Sequence, residues 1–135
     1  VGGSGAGNIA KLVNNMLVAC HMLTTAEGLR LAETAGLPAE DALGVINAAT
    51  GRSALSEVHF PKWALSGSFD SGFSAGLMRK DLRLALALAA ENDSRLPMAE
   101  LAAGLRSEGA SGIRDDQDFM WLGDYRAQVG EEQNG

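Results

Sequence analysis

Apolar residues recur at three- and four-residue steps along most of the chain, and strict alternation is nowhere sustained, so the pattern predicts helices and no strands. Ile9, Leu12, Val13, Met16, Leu17, Cys20, Leu23 and Thr24 mark the first and longest helix, predicted over Gly7–Ala35 with Gly36 as its cap. A helix of that length serves as a spine. Pro38 suits the first position of a second helix through Ala49, which Thr50-Gly51 ends. Ser53 is placed to cap a short helix, Ala54–His59, and Pro61 is expected to interrupt it before a further turn around Trp63–Leu65. Residues 66–73 read as a loop, in which Phe69 and Phe73 either anchor to the core or line a pocket. From Ser74 a helix is predicted to Asn92, so apolar beyond Arg83 that it should be buried on most sides. Leu96-Pro97 opens another helix to Ser107, and Gly109–Gly112 breaks it. A final helix, Asp115–Ala127, is expected to carry Phe119, Met120, Trp121, Leu122 and Tyr125 ahead of a frayed tail from Val129.

The expected fold is therefore an all-α bundle built around the long first helix, with residues 1–128 as one domain. At 135 residues the chain can bury roughly two thirds of its unfolded surface. A net charge of −6 and the lack of a basic stripe exclude nucleic acid as the expected partner. No apolar run approaches a membrane span, and the start lacks the basic region of a signal peptide. The single Cys20 permits no internal disulfide, which fits a reducing, cytoplasmic setting. The chain opens on Val1 and runs straight into a motif, so it reads as a piece of a longer protein.

That motif carries the candidate chemistry. Four glycines lie within Gly2–Gly7 and let the backbone approach something closely, and their amides could bind a carboxylate. Behind them Lys11, Asn15, Val18 and Met22 share one side of the first helix, at about 100° per residue, so Lys11 and Asn15 can meet. Partial burial and the positive end of the helix would disfavour the ammonium of Lys11 and suit it to move a proton at a bound hydroxyl or carbonyl, while Asn15 holds the oxygen. The residues alone equally allow a surface lysine, solvated asparagines and a flexible glycine lead. Arg79, Lys80, Asp81 and Arg83 open an apolar helix, so they face a cleft or lie at its wetter end. The glycines do not make a dinucleotide fingerprint, which needs a preceding strand, and no P-loop sequence is present. His21 and His59 stand apart with no ligand at metal spacing, so no metal site is expected.

Three blocks together resemble the C-terminal domain of the 3-hydroxyisobutyrate dehydrogenase family, β-hydroxyacid dehydrogenases related to 6-phosphogluconate dehydrogenase. Gly2, Gly5, Gly7, Lys11, Asn14 and Asn15 are similar to the family's G-x-x-G-x-G-x-x-x-K-x-x-N-N. Gly72-Phe73 with Leu77, Lys80-Asp81-Leu82, Leu84 and Ala85 is similar to its G-F-x-x-x-L-x-x-K-D-L-x-L-A, and Leu96-Pro97, Glu27 and Ser53 fit more weakly. The closing stretch Gly112–Phe119 follows the family only loosely. The resemblance implies a helical domain that closes over substrate and nicotinamide and supplies a homodimer contact. It implies Lys11 as general acid/base, Asn15 with Asn14 and Gly5 on the substrate, and Lys80, Asp81 and Phe73 on the NAD or NADP side. The implied reaction is oxidation of a small β-hydroxyacid to its semialdehyde, with the particular hydroxyacid open. The family's N-terminal nucleotide-binding domain is not in this sequence, so the isolated chain is expected to hold half an active site and to be inactive. The competing expectations are a non-catalytic dimerisation or small-acid-binding module, and an anion switch built on the glycines.

Overall fold

The computed structural model describes residues 3–126, and among these it is an all-α bundle, as the periodicity predicts. Helix α1 (Gly3–Thr34) is the spine; α2 (Ala39–Asn47), a π-helix (Leu55–Leu65), α3 (Ala75–Glu91), α4 (Pro97–Leu105) and a 3₁₀ turn (Phe119–Gly123) all pack against it. The short α5 (Glu108–Ser111) lies against α4. The stretch 129–135, read from sequence as a frayed tail, lies outside the described residues. Among the described residues no helix is long and apolar enough to cross a membrane.

The buried side of α1 differs from the predicted one. Leu12, Ala19, Met22, Ala26 and Leu29 are buried and Asn15 is half-buried, a heptad seam with its steps at 12, 15, 19, 22, 26 and 29. Ile9, Val13 and Leu17, which sequence size alone assigns to the core, are 45–46% exposed. Helix α3 is the helix most extensively in contact with α1, and the buried seam of α1 includes the small Ala19 and Ala26 in place of the larger Ile9, Val13 and Leu17. Helix α3 is likewise buried on one side, with Leu77 and Leu84 exposed, so the expectation of burial on most sides fails.

Several ends follow the turn chemistry. Gly36 adopts φ +100°, and Leu37 N–H reaches back to Ala32 O at 2.8 Å, closing α1 one residue earlier than predicted. Pro38 is the residue before α2 rather than its first, and Glu33 Oε2 accepts from Ala39 N–H at 2.8 Å. Ser53 caps as expected, its Oγ accepting from Ser56 N–H at 3.2 Å.

Two further stretches fold differently from the sequence pattern. Pro61 does not interrupt the helix; residues 55–65 form one π-helix around it. In that register the missing proline N–H would have served Ser56 O, and Asn47 Nδ2 donates to this carbonyl at 3.0 Å instead. Over the described part of 115–127, residues 115–126, the final helix does not form either. Asp118 turns the chain by accepting from Met120 N–H, and only the 3₁₀ turn follows, with Gly123 pressed onto Met22 and Phe60. The segment upstream is held by Arg79, which is buried and donates to Arg106 O, Asp115 Oδ1, Ser111 Oγ and Ile113 O at 2.6–3.1 Å. A guanidinium with its donors so well used makes a local hub that no helical period reveals.

Candidate functional site

The site forms where α1 crosses α3. Asn15 sits in the heptad seam and its Nδ2 donates to Asp81 Oδ2 at 2.6 Å; Asp81 itself is buried. The amide of Asn14, exposed on the next position, donates to Asn15 Oδ1 at 3.3 Å. Asn15 is thereby held at both ends, with one of its two Nδ2 hydrogens given to a carboxylate. Asp81 is the acid that helix α3 brings inward, beside buried Arg79, and Asn15 satisfies it in place of a cation.

Beside this pair opens a cavity of about 250 Å³. Helix α1 contributes Asn15 and Val18 to its wall, α3 contributes Met78, and the loop before α3 contributes Ser71 and Phe73. His59 and Trp63 from the π-helix and Phe119 from the 3₁₀ turn complete it. The rings meet edge to face: Phe73 on Phe119 at 5.1 Å, His59 on Trp63 at 5.2 Å and on Phe119 at 6.1 Å between centroids. His59 Nδ1 lies 3.3 Å from Ala54 O, which can only accept, so in this bond Nδ1 is the donor. An aromatic, mostly apolar hollow with a fixed amide at its edge suits a small organic acid or a flat heteroaromatic ring.

The sequence-predicted residues distribute unevenly around it. Asn15 and Phe73 are in the wall, and Asp81 is one hydrogen bond behind Asn15. Lys11 lies one turn before Asn15 on the same helix but is exposed, so the partial burial expected of it is not provided by the described residues. Lys80 is also exposed, on α3 beside Asp81. The glycine stretch is helical from Gly3, and a Cβ placed on Gly5 or Gly7 would meet nothing within 4 Å. The loop phenylalanines separate in role: Phe69, at φ +44°, stacks on Trp121 at 3.9 Å, while Phe73 takes the cavity.

His59, Trp63, Ser71, Met78 and Phe119 were not marked by the sequence pattern. The interrupted-helix reading hid the first two, since a π-helix brings His59 and Trp63 to one side, and π segments concentrate at functional sites. Among the described residues no group of His, Cys, Asp or Glu is placed to hold a metal ion.

A family model described as NAD-binding of NADP-dependent 3-hydroxyisobutyrate dehydrogenase matches residues 5–123. The 2-(hydroxymethyl)glutarate dehydrogenase of Eubacterium barkeri is 39% identical over 122 residues, covering 89% of this chain and 40% of that protein. A probable mitochondrial 3-hydroxyisobutyrate dehydrogenase of Arabidopsis thaliana is 33% identical, covering 87% of this chain and 36% of its own. A solved structure of Mycobacterium tuberculosis 3-hydroxyisobutyrate dehydrogenase with L-serine superposes with a TM-score of 0.73 at 34% identity, over 87% of this chain and 43% of that one. The chain thus spans about two fifths of the length of the relatives it matches. From residue 5 to residue 123 the family pattern and the helical bundle coincide, and the chain belongs to the 3-hydroxyisobutyrate dehydrogenase family.

Proposed function

We propose that this chain is the C-terminal, substrate-side domain, residues 1–128, of an NAD(P)-dependent dehydrogenase that oxidises a small β-hydroxyacid to its semialdehyde. The observation that carries this reading is the Asn15–Asp81 bond at the edge of the aromatic cavity, with Lys11 one helical turn away. Lys11 takes the proton of the substrate hydroxyl in oxidation and returns it in reduction. Asn15, held by Asp81 through one Nδ2 hydrogen, gives its second to the same oxygen, and Asn14 receives the carboxylate, while Gly5, roughly 13 Å earlier along α1, leaves room for a close approach from the cofactor side. A nicotinamide fits the remaining wall, because Phe73 and Phe119 offer apolar faces for a flat ring and Lys80 stands outside as a cation for a phosphate. When bound, that cofactor supplies the hydride acceptor.

The exposure of Lys11 is consistent with a site completed by a second domain. A nucleotide-binding domain laid over this side of α1 would strip water from the amine and give the open space at Gly5 and Gly7 an occupant. The exposed Ile9, Val13 and Leu17 give that domain, or a second copy in a homodimer, an apolar ridge to cover. A cytoplasmic setting is part of the same proposal.

The test is turnover of a panel of small β-hydroxyacids with NAD and with NADP by the full-length protein carrying this chain, with and without Lys11→Ala. A fall of about 10²-fold or more in kcat with cofactor affinity kept is expected of a lost general acid/base. Unchanged turnover would remove Lys11 from the chemistry and leave a binding or dimerisation module as the better description.

A further inference from the structure

Asp118, which the proposed chemistry does not use, gathers an unusual number of donors. Ser71 Oγ lies 2.9 Å from both carboxylate oxygens, Gly72 N–H donates to Oδ1 at 2.9 Å, and Met120 N–H donates to Oδ2 at 3.0 Å. Ser71 Oγ in turn accepts from Phe73 N–H at 3.4 Å. The backbones alongside are stitched together: Phe119 N–H donates to Phe73 O at 2.7 Å, Ala75 N–H to Gln117 O at 2.8 Å, and Ser74 and Asp118 form an antiparallel bridge.

The consequence lies one step away, in the cavity. Asp118 is not part of the wall, yet Ser71, Phe73 and Phe119 are, and each is tied to Asp118 or its neighbour. Gly72 takes φ +92° between two of them, a bend that fixes the angle at which Phe73 enters. The aspartate side chain suits this demand, since both of its oxygens accept. An asparagine would turn an NH₂ toward one of the donors.

We propose, resting on the dehydrogenase reading above, that Asp118 is a positioning residue: its carboxylate, through Ser71 and Gly72, sets Phe73 at the cofactor side of the cleft, so nicotinamide affinity depends on a side chain that does not touch it. Ser71 transmits the effect and Phe73 delivers it.

The test uses the full-length protein and titrates reduced nicotinamide cofactor by its fluorescence, alongside steady-state kcat and KM. Asp118→Asn is expected to raise the cofactor Kd and KM about tenfold, the size of a lost hydrogen bond to a charged group, with hydroxyacid KM little changed. Ser71→Ala should give part of that, about threefold, and the double variant should match Asp118→Asn alone, because both act through one clamp. Leu43→Ala, buried in α2 and outside the cavity, is the control for lost stability: it should lower apparent kcat and leave the cofactor Kd alone. An unchanged Kd in Asp118→Asn, additive effects with Ser71→Ala, or the same Kd shift in Leu43→Ala would each overturn the proposal. Failure of Lys11→Ala to slow turnover sinks the catalytic reading alone, since cofactor Kd still decides the clamp. Absence of cofactor binding by the parent protein overturns both.

Discussion

Gly5 and Gly7 pose a sharp choice between stability and function. Both lie within α1, neither has a positive φ, and a Cβ on either meets nothing within 4 Å, so alanine fits the fold at each. Alanine in a helix is favoured over glycine by roughly 0.5–1 kcal/mol through lower backbone entropy in the unfolded chain. The pair Gly5→Ala/Gly7→Ala should therefore gain about 1–2 kcal/mol, or several degrees in Tm for a domain of this size. Urea unfolding and thermal melts of the chain measure that gain directly. If the glycines are there so that a carboxylate or a second domain can come close, the same variant in the full-length protein should lose at least about tenfold in kcat/KM, equivalent to 1.4 kcal/mol of transition-state binding. A stable, fully active variant would refute close approach as the reason for the glycines. A variant destabilised by more than about 1 kcal/mol would refute the claim that their reason lies outside the bundle.

A Cβ on Gly123 would stand 2.6 Å from Met22 Cγ and 3.3 Å from Phe60 Cζ, with both side chains fully buried. Gly123→Ala should cost about 1–3 kcal/mol by overpacking, read from urea midpoints, and a neutral result would mean the 3₁₀ turn is not seated on α1 as described. Arg106 is fully buried, donates to Ala19 O and Met22 Sδ, leaves Nε without a partner, and has no carboxylate within salt-bridge distance among the described residues. Desolvation lowers its pKa to about 10, so it is still a cation at neutral pH. Arg106→Met should stay within about 1 kcal/mol of the parent or exceed it, while Arg106→Ala should lose about 3 kcal/mol or more by leaving a cavity; a large loss in the methionine variant would show the guanidinium to be a net stabiliser. Burial pushes the Cys20 thiol above its ordinary 9.0, against a smaller opposing pull from Arg106. The folded state therefore favours the neutral thiol, and this contribution is full below pH 9.0 and lost as pH rises toward the folded value. Alkylation of Cys20 near pH 8 should be slower in the native protein than in urea, and equal rates would contradict its half-buried setting.

The helical class can be read from the residues alone, because apolar steps of three and four bury one face only in a helix. So can the ends that rest on local chemistry, the left-handed Gly36, the cap at Ser53 and the opening at Pro97. Asn15, Phe73 and Asp81 could be singled out in the sequence because a polar or aromatic side chain on an apolar helix or in a glycine loop needs a local reason, and the fold brings Asn15 and Phe73 to one cavity with Asp81 behind Asn15. What surrounds α1 depends on how the other helices pack: large Ile9, Val13 and Leu17 look like core, yet small Ala19 and Ala26 are the residues that enter the core cluster, and residue size along one helix does not reveal which side its neighbours cover. The π-helix at Pro61 depends on Asn47, nine residues before the carbonyl it serves, and no local propensity encodes such a rescue. The last helix was lost for the same kind of reason. Its apolar residues suit a helix in isolation, but Asp118 accepts from Ser71 and Gly72, some forty-seven residues back, and that long-range pairing outweighs a few residues of helical preference.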